Sequence, residues 1–328
     1  MRTGWKTVKK ILKQLTLAVI GLLIVGTVAI YLNHQYQLRE ESGLFAGEGQ
    51  RVRVNNHELN VYNEGSGEDT YVFMAGSGTA SPMYELKGLY SKFSADHKIA
   101  VIERAGYGYS EIAGDDRDLD KILEESREAM HRSGNKPPYI LMPHSLSGLE
   151  AIYWAQKYPD EVKAIIALDN GLPEEYVEHP LGGLNKLLMR GMNVMTRLGF
   201  QRLSPFMTYD PEIIRQTFLT EEEKRKFKAI SYKQAFNEDM MQELLNAATN
   251  AGRSLKLPLP KGTPILFLSA YTEENQDSKY TRQKEEHYQV IAGQLDVAEV
   301  VRVKGKHSLY LYAPDEIFQL AEKFMDRL

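Results

Sequence analysis

The chain contains no cysteine. That excludes thiol nucleophiles, thiolate metal sites and disulfides, and it is compatible with either redox compartment. No basic stripe stands out: 40 Lys and Arg face 44 Asp and Glu, for a net charge of -4. Nucleic acid is therefore not an expected partner. No internal repeat or low-complexity segment is present, which excludes solenoids and disordered tracts. No ligand cluster for a metal is visible, so neither metal nor cofactor is expected. At 328 residues, 43% hydrophobic and 26% charged, the chain can bury an ordinary globular core.

One region departs from this average. Leu15 to Leu32, LTLAVIGLLIVGTVAIYL, carries no charge over 18 residues, close to the length that crosses a bilayer as a helix. Arg2, Lys6, Lys9, Lys10 and Lys13 precede it, and Arg39 behind it is offset by Glu40 and Glu41. This asymmetry predicts a single-pass anchor over 1–33, with a cytoplasmic N-terminus and the remainder extracytoplasmic. A signal peptide cleaved near Thr27-Val28-Ala29, giving a secreted protein, is the alternative. Residues 34–50, with three glycines, read as a polar linker.

From residue 51 the pattern is that of strands alternating with helices. RVRV (51–54), HELNVYN (57–63), YVFMA (71–75), KIAVIE (98–103), YILM (139–142), VKAIIAL (162–168), PILFLS (264–269) and VAEVVRV (297–303) read as strands. Several are continuous apolar runs, as in strands buried on both faces. Between them, 84–93, 119–132 and 149–157 read as helices, and a last helix follows from about Pro314. This alternation predicts an α/β fold: a mostly parallel central sheet with helices on both faces. From 172 to 260 strands give way to helical patterns at 184–198, 212–218 and 221–251. That stretch reads as a helical cap insertion within a domain spanning 51–328. Its Met189, Met192, Met195, Met207, Met240 and Met241, with Phe200, Phe206, Tyr209 and Phe236, either pack the insertion's own core or line an apolar pocket.

The stretch PPYILMPHSLSGLEAIYWAQKYP (137–159) sets Ser145 on a short turn between a buried strand and a helix. A serine hydroxyl becomes a nucleophile once a base takes its proton. A sharp strand-to-helix turn, G-x-S-x-G, exposes it beside the first amides of the helix. Here the small flanking positions hold Pro143 and Ser147 instead of glycines. Proline removes one backbone donor but suits a strand end.

Other segments carry a family resemblance. KIAVIERAGYGYS (98–110) closely resembles the Asp-Arg-x-Gly-x-Gly-x-Ser segment of the α/β-hydrolase superfamily, with Glu103 in place of the Asp. FMAGSGTASP (73–82) resembles that family's oxyanion loop, with Ala75 where His is usual and Ser77 at the amide position. YPDEVKAIIALD (158–169) and GKHSLYLYAPDEI (305–317) resemble its next helix-to-strand join and its terminal His loop. The resemblance covers about 50–328 apart from most of the insertion. It implies Ser145 as nucleophile, His307 as base, and the amides of Ser77 and Leu146 as the oxyanion hole.

His307 also stands out among the eight histidines, as the one directly following a buried strand in a glycine-containing loop. The turn is expected to send the His144 side chain away from the site, while His179 and His287 are assigned to the insertion and to a charged helix. The acid is open. Asp169, ending a strand as in haloalkane dehalogenases, is preferred, and Glu273 and Glu274 are alternatives. Ser110 reads as a turn former. An Asp nucleophile, as in epoxide hydrolases, does not fit Ser145.

The expected function is that of a membrane-anchored serine hydrolase of carboxylesterase or lipase type, cleaving a small-molecule ester or amide with an apolar group through an acyl-enzyme. A peptidase or acyltransferase of the same fold, and a non-catalytic hydrolase-like protein that binds or senses at the membrane, are the alternatives.

Overall fold

A computed structural model describes residues 2–205 and 208–328. Phe206 and Met207 of the insertion lie outside the described residues. Eight strands form one sheet: β1 (Gln50–Val54), β2 (His57–Glu64), β3 (Thr70–Met74), β4 (Lys98–Glu103), β5 (Tyr139–Pro143), β6 (Val162–Leu168), β7 (Ile265–Tyr271) and β8 (Ala298–Lys304). Their order is β1-β2-β4-β3-β5-β6-β7-β8. β1 and β2, and β2 and β4, pair antiparallel, while every later pair is parallel.

The apolar runs follow from two-sided burial. In β3, Tyr71 and Phe73 enter the core on one face of the sheet, and Val72 and Met74 enter the core on the other. Helices Leu119–Arg132, Ser147–Lys157 and Lys279–Ala292 cover one face through Leu123, Trp154 and Tyr288. Lys87–Phe93 and Pro314–Met325 cover the other through Phe93 and Phe324. Both faces are thus withdrawn from water, as parallel strands require.

Between β6 and β7 the described residues form helices and turns alone. The pattern read as one helix over 221–251 is two, Glu221–Gln234 and Glu238–Ser254. Asn237 causes the break: its side chain accepts from the amides of Asp239 and Met240 at 3.1 and 3.3 Å, capping a new helix.

The N-terminal helix runs from Arg2 to Glu40, followed by a short 3-10 turn over Glu41–Phe45. The polar stretch expected as a linker is therefore largely helical and docked. No glycine or proline lies between Gly26 and Gly43, so nothing stops the helix at the end of the apolar run. Beyond that run His34 is buried and accepts from Arg202 Nε at 2.9 Å. Arg202 also grips both oxygens of Glu41, at 2.9 and 2.6 Å. Lys226 meets Glu48 at 2.5 Å. The most apolar window of this helix has none of its residues buried in the protein.

Candidate active site

The site lies beyond the carboxyl ends of β5, β6 and β8, where open α/β sheets leave a crevice. Ser145 follows β5 with φ +55, a left-handed conformation that costs a non-glycine residue energy and presents its side chain at the tip of a tight turn. Its amide donates to Leu168 O at 3.4 Å, and its carbonyl accepts from the amide of Gly171 at 3.0 Å. The turn is thereby tied to the end of β6.

Ser147 does more than fit where glycine is usual. Its hydroxyl accepts from the His144 amide at 2.9 Å and lies 2.8 Å from Met74 O and 2.9 Å from His144 O, lacing the turn to β3. Pro143 is accommodated by a gap in the ladder. β5 pairs with β6 through Leu141 and meets it again at the isolated bridge between His144 and Leu168. Pro143 sits in that gap, where the missing donor interrupts least.

The loop after β3 closes on the turn. A Cβ at Gly76 would fall 2.8 Å from Ser145 Cβ and 2.8 Å from His144 Nδ1, so only glycine permits this approach. Next to it, the Ser77 amide donates to no acceptor among the described residues, and the same holds for the Leu146 amide. Ser77 Oγ is buried without a partner among the described residues. The amide after Ser145 and the one after Gly76 are thus without a backbone acceptor among the described residues.

His307 Nδ1 lies 2.6 Å from Asp169 Oδ2. Asp169 has φ +47 and is buried. Its Oδ1 accepts from the Ala270 amide at 2.8 Å and from Lys284 Nζ. Burial would raise the Asp169 pKa, but the hydrogen bond from His307 and the charge of Lys284 outweigh it and hold the carboxyl below its ordinary range. Ser145, Asp169 and His307 line one cavity of about 270 Å³, with Asn170, Gly171, Glu175, Tyr176, His179, Tyr280, Gln283, Lys284 and His287.

Glu273 and Glu274 are not brought to this cavity. Glu273 is solvent-exposed and paired with Lys304 at 2.5 Å, and Glu274 is exposed. Both stand in the turn that follows β7, beyond the end of the sheet. Ser110 is structural: its hydroxyl accepts from the Asn60 amide at 2.8 Å and donates to Glu103 O. The described methionines of the insertion do not line the cavity, which takes Glu175, Tyr176 and His179 from that segment. Met240 and Met241 are buried within the fold, and Met192 and Met195 face outward.

His144 departs from expectation. Its side chain turns toward the site, buried, with Nε2 3.0 Å from His307 O and its ring 4.6 Å from that of His307. Burial, then the neighbouring His307, pushes its pKa down to about 3. The ring is neutral and donates from Nε2, holding the backbone of the His307 loop.

Lys284 and Glu243 also escaped the sequence. Lys284 shares a buried helix face with Thr281, Tyr288 and Ile291, and a lysine at that spacing was its signal. Glu243 grips Arg104 through Nε and Nη2 at 3.1 and 3.0 Å and accepts from Tyr107 at 2.7 Å. Arg104 in turn donates to Ala75 O at 2.9 Å. The insertion and the loop beside Ser145 are thus fastened to one guanidinium.

Residues 75–314 match the family model for the alpha/beta hydrolase fold. The chain belongs to the α/β-hydrolase family. It is 51% identical over 323 residues to the uncharacterised protein YbdG of Bacillus subtilis, covering 98% of this chain and 99% of that one. Among solved structures, it resembles the provisionally assigned lipase Lip1 of Acinetobacter baumannii, with TM-score 0.61, 17% identity, and coverage of 90% of this chain and 96% of that one. It also resembles a bacterial membrane phospholipase A, with TM-score 0.58, 19% identity, and coverage of 96% and 98%. At such identities the structural likeness is one of fold. This α/β-hydrolase carries one N-terminal helix long and apolar enough to cross a membrane.

Proposed function

We propose that this α/β-hydrolase is a membrane-anchored serine hydrolase that cleaves an ester or amide outside the cytoplasm. The observation that carries the reading is the 2.6 Å contact between His307 Nδ1 and Asp169, in a cavity that Ser145 also lines. Ser145 Oγ attacks the carbonyl carbon and passes its proton to His307 Nε2. Asp169 holds the ring in the tautomer that leaves Nε2 free to accept, and stabilises the imidazolium. The amides of Leu146 and Ser77 hold the oxyanion. Collapse expels the alcohol or amine, which takes the proton from His307 and leaves an acyl group on Ser145. Water, deprotonated by His307, then releases the acid.

The cavity, about 270 Å³, is at the small end for ligand sites. Tyr176 and Tyr280 offer apolar surface to an acyl or alcohol group, while Glu175, His179, Gln283 and His287 suit a polar remainder. The uncharged run from Leu15 to Leu32 is the anchor, with Lys9, Lys10 and Lys13 on its cytoplasmic side.

The test uses the full chain in detergent, with p-nitrophenyl acetate, butyrate and octanoate. Wild type is expected to turn over, preferring the shorter acyl chains, and Ser145→Ala and His307→Ala are expected to lose about 10³-fold or more in kcat. Folded wild type that neither turns over nor reacts with a fluorophosphonate would leave a binding role in place of catalysis.

A further inference from the structure

The helix Gly183–Leu198 is covered by the protein on a narrow side alone. Asn193, buried, donates to Phe236 O at 3.0 Å, and Thr196 lies one turn on, on the same side. At about 100° per residue, Val194, Leu187, Leu184, Met195, Leu188 and Met192 form one continuous stripe on the opposite side. Each is between 40% and 70% exposed. Lys186, Arg197 and Arg190, all exposed, form a basic strip between the covered side and the Val194 edge of the stripe, Arg190 nearest to that edge, and Arg197 meets Glu238 at 2.6 Å. A soluble surface rarely keeps so continuous an apolar band in water. An apolar stripe bordered by lysine and arginine is the pattern of a helix lying in a bilayer interface.

Its place in the fold says which surface covers it. The helix ends at Gly199, where a Cβ would fall 2.4 Å from His34 Cβ and 3.3 Å from Ile30 O. Those residues stand at the outer end of the apolar run 15–32. The C-terminal end of the helix thus sits at the level where the N-terminal helix leaves the hydrocarbon, and its 16 residues lead back about 24 Å from there. Leu203, 66% exposed, continues the apolar surface beside that junction.

We propose that the helix 183–198 lies on the outer surface of the same bilayer, its Leu and Met stripe among the acyl chains and Arg190, at the edge of that stripe, at lipid phosphates. The docking would hold the insertion, which carries Glu175, Tyr176 and His179 of the cavity, against the membrane. It rests on the reading of residues 15–32 as a transmembrane anchor, and the experiment separates the two.

The absence of cysteine makes single-site labelling clean. Leu22→Cys, Leu188→Cys, Met192→Cys and Lys323→Cys are each labelled with an environment-sensitive fluorophore. The full chain is reconstituted in phosphatidylcholine–phosphatidylglycerol vesicles, with and without chain-brominated phosphatidylcholine. Probes at 188 and 192 are expected to shift to the blue and to lose most of their emission to bromines near the headgroup. The probe at 22 is expected to be quenched by deep bromines, and that at 323 by neither. Unquenched probes at 188 and 192 beside a quenched probe at 22 would overturn the docking and keep the anchor. Quenching at 188 and 192 but not at 22 would keep the docking and remove the anchor. Probes at 188 and 192 shielded from water yet untouched by bromine would mean that protein, such as a second copy, covers the stripe, and would overturn the proposal. No quenching at any position would overturn both.

Discussion

Lys284 and Asp169 form a buried ion pair on the carboxylate oxygen that His307 leaves free. The acid beside His307 therefore serves two partners at once, one on each oxygen.

Two variants test this arrangement. Asp169→Asn is expected to lower kcat by about 10³- to 10⁴-fold, because the amide no longer fixes the imidazole tautomer. Lys284→Met leaves the full carboxylate charge acting on His307 and favours its protonated form. The acid limb of the kcat/KM profile is then expected to move to higher pH. A purely structural lysine would lower the folded fraction without moving that limb.

Gly108 faces the Glu103 carboxyl. It has φ +51, and a Cβ there would fall 2.0 Å from that carboxyl. Glu103 accepts from the Tyr109 amide at 2.7 Å and from Asn60 Nδ2 at 3.0 Å, so it cannot yield freely. Gly108→Ala is expected to destabilise the fold by about 3 kcal/mol or more, through left-handed strain and overpacking. Denaturant unfolding measures this, and an unchanged midpoint would rule out the Glu103 clasp.

Glu243 is the main partner of a buried arginine. Glu243→Leu leaves Arg104 with Glu150 at 3.7 Å and is expected to cost about 3–5 kcal/mol. Glu243→Gln, which can still accept from Arg104, should cost less. Equal losses in the two variants would show that packing, not the charge pair, holds the insertion here.

Glu85 makes stability depend on pH. It is buried, with Oε1 unpartnered among the described residues, and burial pushes its pKa up to about 8. In the unfolded chain it titrates near 4.5. Below that pH both states hold the proton and burial of the carboxyl carries no penalty for charge. As pH rises toward 8 the unfolded state ionises first, so stability falls, by a few kcal/mol at most. Glu85→Gln is expected to raise Tm above wild type by a margin that grows from pH 5.5 to pH 8.5. A margin that does not change with pH would refute the buried-proton account.

The strands were legible because burial on both faces writes continuous apolar runs, and the expected bounds of β4 and β6 match the structure residue for residue. Ser145 and His307 were legible because each follows such a run at a turn. Asp169 against Glu273 and Glu274 was not. All three are carboxylates near strand ends, and only the folded side-chain positions show that Asp169 reaches His307 while Glu273 turns out to Lys304. His144 was misplaced because the direction of a side chain at a tight turn depends on the loop that packs over it.

The sequence by itself determined the alternation of elements, the apolar N-terminal run and the serine on its turn, since each is a local pattern set by helix and strand periodicity. Only the tertiary structure decided that Asp169 meets His307 across 138 residues, that Lys284 and Glu243 come inward, and that the Leu and Met stripe on 183–198 faces outward. Those are contacts between distant segments, and no local periodicity encodes which face another segment will cover.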